Sequence, residues 1–344
     1  MAKKKPKAID LFCGCGGLTL GLKKAGFHVI GAVDNDNLAV ETYKVNHPEV
    51  HVWERDIQGL TVGWVKRKLG LRKGKLDLLA GCPPCQGFST LRTLNGGYEI
   101  DDEQNDLIYE FLRFVKELAP KAVMMENVPG LQRDKRFKKF CKELEKLGYR
   151  VKHEVLNAAD YGVPQRRKRL ILLAGRNGNI KFAKKARCKR TVFNVIGDLP
   201  PAGESRSKLH NLPERRSKKV LSLIKKIPKD GGSRKDLGKR RQLACHKKCD
   251  GFKDVYGRMA WDKVAPTITS GCTNPSKGRF LHPEEDRAIT LREAVLLQGF
   301  PRSYRFDVEA GKGAIAEMIG NALPPEFIRR HGAIARNYVL SCLG

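Results

Sequence analysis

Two thiols, two carboxylates and a run of cations carry the chemistry this chain can do. Cys82 and Cys85 bracket two prolines in Gly81-Cys82-Pro83-Pro84-Cys85-Gln86-Gly87-Phe88-Ser89, directly after an apolar run at 76–80. A thiol on a proline-stiffened loop at a strand end is the arrangement of a nucleophile. The C-x-x-C spacing also admits a redox pair, or half a zinc site completed imperfectly by Cys245 and Cys249. Glu126 stands in Met125-Glu126-Asn127-Val128-Pro129-Gly130, again at the end of an apolar run, where a carboxylate can handle a proton while a thiol attacks. In Tyr161-Gly162-Val163-Pro164-Gln165-Arg166-Arg167-Lys168-Arg169, strand alternation would put Gln165, Arg167 and Arg169 on one face. That face reads either as an anion or base contact or as a solvated edge.

A third loop, Asp10-Leu11-Phe12-Cys13-Gly14-Cys15-Gly16-Gly17, links a strand to a helix, and Asp34 ends the next strand. Glycines there free amides at a helix start, and the acid can accept from ribose hydroxyls. The spacing departs from G-x-G-x-x-G, so a nucleoside fits better than a pyrophosphate dinucleotide. The alternative is a tight turn with no ligand. Cys13 and Cys15, one residue apart with no nearby His, make a poor zinc half-site.

Elements must bring these loops together. Apolar runs at 8–12, 28–33, 76–80, 122–125, 151–156 and 170–174 read as strands. Between them, 18–25, 38–45, 105–118 and 137–147 have helical spacing, the last closed by Gly148. Alternation of the two implies βαβ units, a mostly parallel sheet with helices on both faces, and ligands beyond the carboxyl ends of the strands.

The 344 residues hold 67 Lys and Arg against 37 Asp and Glu, a net charge of +30. Such a balance attracts polyanions and disfavours an enzyme of small neutral metabolites. The excess is concentrated: residues 181–258 carry 24 basic and 7 acidic side chains. Pro and Gly punctuate this segment, which reads as a loop-rich nucleic-acid-binding insertion or as a solvated linker. No run of 18 apolar residues and no secretory signal are present, so the expectation is a cytoplasmic protein with reduced thiols and no membrane contact.

Taken in order, DLFCGCGG, VDND, GCPPCQGFS, MENVPG, YGVPQRRKR and IGNALPP resemble the motif series of the DNA cytosine-C5 methyltransferases, over residues 8 to about 340. The resemblance implies an α/β fold: the Rossmann-like, doubly wound sheet of S-adenosylmethionine-dependent methyltransferases, with a smaller, basic target-recognition domain. It implies a catalytic domain over 1–180 completed by 312–344, a recognition domain over 181–285 and a hinge over 286–311. Cys85 would be the nucleophile, with Glu126, Arg167 and Arg169 as the other catalytic residues. Phe12, Gly14, Cys15, Gly17, Asp34, Asn35, Asp56, Ile57, Pro84, Leu107, Asn321 and Ala322 would bind S-adenosyl-L-methionine, and Cys82 would fall at a position often held by glycine. No metal is implied. The expected activity is methylation of C5 of cytosine in duplex DNA, through base flipping and a covalent cysteine–C6 intermediate. Expected partners are double-stranded DNA and a cognate restriction endonuclease acting on the same site, with the enzyme a nucleoid-associated monomer. A tRNA-directed methyltransferase on the same fold and a non-enzymatic DNA-binding protein are the competing readings.

Overall fold

The computed structural model describes residues 5–84, 106–238 and 254–342. The chain divides into two compact units: Met1–Tyr161 with Lys168–Lys185 and Leu323–Gly344, and Gly162–Arg167 with Ala186–Ala322.

The first unit is built on seven strands: β1 (Lys7–Leu11), β2 (His28–Asp34), β3 (His51–Glu54), β4 (Leu78–Gly81), β5 (Ala122–Asn127), β6 (Arg150–Asn157) and β7 (Lys168–Gly175). Their order is β3-β2-β1-β4-β5-β7-β6. Pairing is parallel from β3 through β5, and β7 runs antiparallel between β5 and β6. The parallel strands are joined by helices α1 (Gly17–Lys24), α2 (Asn37–Asn46), α3 (Val62–Leu69) and α4 (Leu107–Leu118), and α5 (Lys135–Lys146) leads from β5 to β6. Between β6 and β7 lies only one short turn, Ala158–Tyr161, before the chain visits the second unit. Without a crossover helix the returning strand pairs antiparallel. The strand order reverses between β1 and β4, so the crevice beyond their carboxyl ends is where a ligand belongs.

Burial explains the elements. β4 and β5 are buried along their whole length, as strands covered on both faces must be. In α4 the expected stripe, Ile108, Phe111, Leu112, Phe114, Val115 and Leu118, is the buried one. Phe111 meets Phe140 of α5 edge-on at 5.9 Å. Two elements escape the sequence patterns. β3 is a four-residue edge strand, and α3 buries only Val62 and Val65 beneath a basic surface.

The second unit is rich in loops. Its longer helices are α6 (Lys218–Lys226), α7 (Leu291–Leu297) and α8 (Lys312–Asn321). The side chain of Arg258 is fully buried and gives order to the loops. It donates to the carbonyls of Ile224, Ile227, His282 and Glu285 and to Asp286 Oδ1 at 2.6–3.1 Å, satisfying all five guanidinium donors. Leu223, Ile224, Ile227, Val255 and Leu281 belong to one hydrophobic cluster of this unit. Residues 286–311 and 312–322, expected as hinge and as part of the catalytic domain, belong to this unit, because α7 and α8 pack with it. Helix α9 (Pro325–Ser341) belongs to the first unit and packs on α1. Gly21 makes this possible: a Cβ there would lie 2.5 Å from Ile328 Cβ.

Candidate active site

Every loop at the carboxyl ends of β1, β2 and β4 is tied to a neighbour. After β1, Phe12, Gly14 and Gly16 all take positive φ, at 61°, 50° and 95°. Phe12 is not a glycine, so this conformation is held against its preference, a feature that clusters at ligand sites. Cys13 N donates to Val33 O at 3.0 Å, and Gly14 N to Asp34 Oδ2 at 2.7 Å. Asp36 N bonds the other Asp34 oxygen at 3.0 Å. Burial raises the Asp34 carboxyl above its ordinary value while these amides oppose it. Cys13 and Cys15 are buried under the turn. Burial pushes both thiols up, Cys15 to about 12, so they stay neutral and pack as small apolar groups. Gly17 opens α1.

Beneath this turn lies a buried polar chain. Thr19 Oγ1 donates to Asp10 Oδ2 at 2.7 Å and lies 2.8 Å from Tyr43 Oη, linking β1, α1 and α2. Asp10 is fully buried, and among the described residues its Oδ1 has no hydrogen-bond partner. Burial lifts this carboxyl to about 8, so it holds a proton at neutral pH.

At the end of β2, Asn35 is exposed. Beyond β3, exposed Asp56 accepts from Gln58 N at 2.9 Å, while Ile57 is buried. Arg113 of α4 clamps this loop, donating to the carbonyls of Ile57 at 2.8 Å and Leu60 at 3.0 Å while pairing with Glu110. Sequence reasoning missed Arg113; its only local signal is the i, i+3 spacing from Glu110. Leu107, half-buried, begins the same helix.

After β4, Cys82 N donates to Leu11 O at 3.2 Å. Asn127 Nδ2 donates to Pro83 O at 2.9 Å, and its Oδ1 accepts from Val128 N at 2.8 Å. Asn127, given no role by sequence, thus fixes the proline loop against the end of β5. Next to it Glu126, 6% exposed, accepts from Arg169 Nε at 2.8 Å across β5 and β7. Cys82 lies within electrostatic reach of Glu126. Burial, then the charges of Glu126 and Asp10, push its thiol well above the usual range. Pro84 ends the described part of this loop; Cys85 and Gln86–Ser89 lie outside the described residues, as do Cys245 and Cys249.

The shared face expected for Gln165, Arg167 and Arg169 does not exist. β7 starts at Lys168, so Gln165 and Arg167 precede the strand and belong to the second unit. Gln165 Nε2 donates to Leu297 O at 3.0 Å and its Oε1 accepts from Ile268 N at 3.0 Å. Buried Arg167 donates to Ile268 O at 2.9 Å and Gly320 O at 2.8 Å. Proline at 164 and these buried carbonyls, which demand donors, override the alternation. Arg169, on β7 itself, pairs with Glu126. Asn321 ends α8 in the second unit, and Ala322 O there accepts from Gln298 Nε2.

A model of the C-5 cytosine-specific DNA methylases matches residues 6–336. The chain belongs to that family. The methylase M.HgiDII of Herpetosiphon aurantiacus, a type II enzyme, is 39% identical over 92% of this chain and 91% of its own. The type II methyltransferase M1.HphI of Haemophilus parahaemolyticus is 35% identical over 92% and 83%. The S. pombe Dnmt2 methyltransferase shares the fold, with a TM-score of 0.63 at 18% identity over 99% of this chain and 100% of its own. As a member of the family, this DNA methyltransferase acts on C5 of cytosine in a sequence-specific manner and takes its target base out of the duplex. Family and fold together imply use of S-adenosylmethionine. Among the described residues no helix is long and apolar enough to cross a membrane.

Proposed function

We propose that the crevice beyond β1, β2 and β4 binds S-adenosyl-L-methionine, and that cytosine is methylated there by a thiol–carboxylate pair. The residues fit such a group. Asp34 offers a partly buried carboxylate for ribose hydroxyls, Phe12 and Gly14 shape a strained turn, and a Cβ at Gly14 would meet only open space. Cys15, Gly17, Asn35, Asp56, Ile57, Pro84 and Leu107 line or support the same loops. Bound there, the cofactor supplies an electrophilic methyl group.

The Glu126–Arg169 pair beside the clamped Pro83 loop carries this reading. The Cys85 thiolate adds to C6 of the flipped cytosine and makes C5 nucleophilic. Glu126, held by Arg169, bonds N3 and the exocyclic amine and stabilises charge developing in the ring. After C5 is methylated, loss of its proton expels Cys85 by β-elimination. Arg167 acts as a positioning residue through Ile268 and Gly320. The first unit carries the chemistry and the second reads the target, with its cations on phosphates. The type II names of the relatives favour pairing with a restriction endonuclease of the same site. We further propose a monomeric enzyme that resides on the nucleoid.

Duplex containing 5-fluorocytosine tests the mechanism, because fluorine cannot leave as a proton does. With cofactor, wild type and Cys82→Ser should form a covalent adduct and Cys85→Ser none. Adduct formation by Cys85→Ser would overturn the assignment.

A further inference from the structure

The turn from α3 into β4 carries charge that catalysis does not use. Residues 66–75 hold Lys66, Arg67, Lys68, Arg72, Lys73 and Lys75 and no acid. All but Lys66 are exposed. Asp77, the next acid along the chain, is already committed to Lys121 at 2.7 Å and to Lys7 N at 2.7 Å. Four of the cations, Lys66, Arg67, Arg72 and Lys73, line an open depression of about 750 Å³ together with Gly63 and Gly70.

Its shape follows from how α3 ends. Gly70 takes φ 59°, and this left-handed turn folds 71–73 back beside the last helical turn. Leu71 N caps Lys66 O at 2.8 Å and Gly70 N caps Arg67 O at 3.3 Å, so these carbonyls are covered and present less negative charge to an entering anion. Beside the cations, Trp64 is 37% exposed with Arg55 5.6 Å from its ring centroid.

The depression opens where β4 begins, whereas the proposed chemistry sits where β4 ends, and β1, β2 and β4 are parallel. The two sites therefore lie toward opposite ends of the parallel strands. A DNA segment held at one end leaves the other free for a different segment.

We propose that this depression and its flanking lysines form a second duplex-binding surface, which grips the phosphodiester backbone of a DNA segment other than the one being methylated. Such contacts are independent of sequence and steeply salt-dependent. The surface would let the enzyme pass from one segment to another without first dissociating completely.

The test follows release of the full chain from a short fluorescent target duplex as unlabelled non-specific duplex is added. For wild type the release rate should rise in proportion to competitor. For the Lys66→Ala/Arg67→Ala/Arg72→Ala/Lys73→Ala variant it should stay flat, while single-turnover methylation of the short duplex stays within about twofold of wild type. The charge-conserving variant, with each Lys exchanged for Arg and each Arg for Lys, should keep the slope, which separates removal of charge from a damaged fold. A flat wild-type response, or an alanine variant that keeps the wild-type slope, overturns the proposal. So does a fall in methylation in proportion to the slope, since the surface would then serve the reacting segment. Polyglutamate that speeds release as well as DNA does, charge for charge, would overturn the choice of DNA as the occupant.

Discussion

Glu126 and Asp10 show two opposite treatments of a buried carboxyl within one sheet. Glu126 has a guanidinium 2.8 Å away, and Arg169 compensates its burial. Asp10 has only uncharged donors of Thr19 to offset its burial and, among the described residues, no partner on Oδ1, so it resolves the cost of burial by keeping its proton. This has a consequence for stability. The carboxyl titrates near its ordinary value of 3.8 when unfolded and at about 8 when folded. Its favourable contribution is therefore complete below about pH 4 and is lost as pH rises to about 8. Across that window it should lower stability by up to about 1.4 kcal/mol per pH unit. Asp10→Asn, which fixes the neutral form, should remove this slope in denaturation measured from about pH 5 to 8. A variant with the wild-type slope would show that Asp10 is ionised in the folded protein. Much at this scale was legible: the types and order of Asp34, Glu126 and Arg169 marked them before any fold was known. The supports were not. Asn127, Thr19, Tyr43 and Arg113 act through partners 24 to 56 residues away, and no local pattern announces such bonds.

At the scale of elements, legibility followed burial. The helix of residues 107–118 declares itself because six apolar side chains share a face, and the inner strands because both of their faces are covered. β3 and α3 were hidden because an edge strand and a basic surface helix bury too little to leave a pattern. The segment 165–169 misled for the opposite reason. Its alternation is real, but Gln165 and Arg167 answer to buried carbonyls rather than to a pleat. The α1–α9 contact is where an element-level change should hurt most. In Gly21→Ala the new methyl would lie 2.5 Å from Ile328 Cβ and 2.7 Å from Pro325 O. Overpacking of this kind costs about 1–3 kcal/mol. The thermal midpoint should fall. No fall in Gly21→Ala would mean that the helices separate without cost.

For the whole molecule, the +30 charge divides between tasks. The basic stretch within 181–258 lies mostly in the second unit, where Arg187, Arg190 and Arg215 are exposed. If they meet phosphates of the target duplex, replacing all three with alanine should flatten the plot of log affinity against log salt by about 0.9 for each phosphate no longer neutralised. An unchanged slope would assign these arginines to solvent. The chain's path between units has a different consequence. It enters the second unit twice, and α9 returns to α1 only after the whole of that unit has been made. Some ~300 residues separate the two helices, roughly 15–60 s of synthesis at typical ribosomal speeds. For that interval the nascent chain carries a finished glycine turn on a helix whose outer face, Gly21 and Leu22, is still bare. The turn between β1 and α1 is therefore buttressed last, and a ribosome stalled before residue 325 would display a sheet without the helix that steadies it.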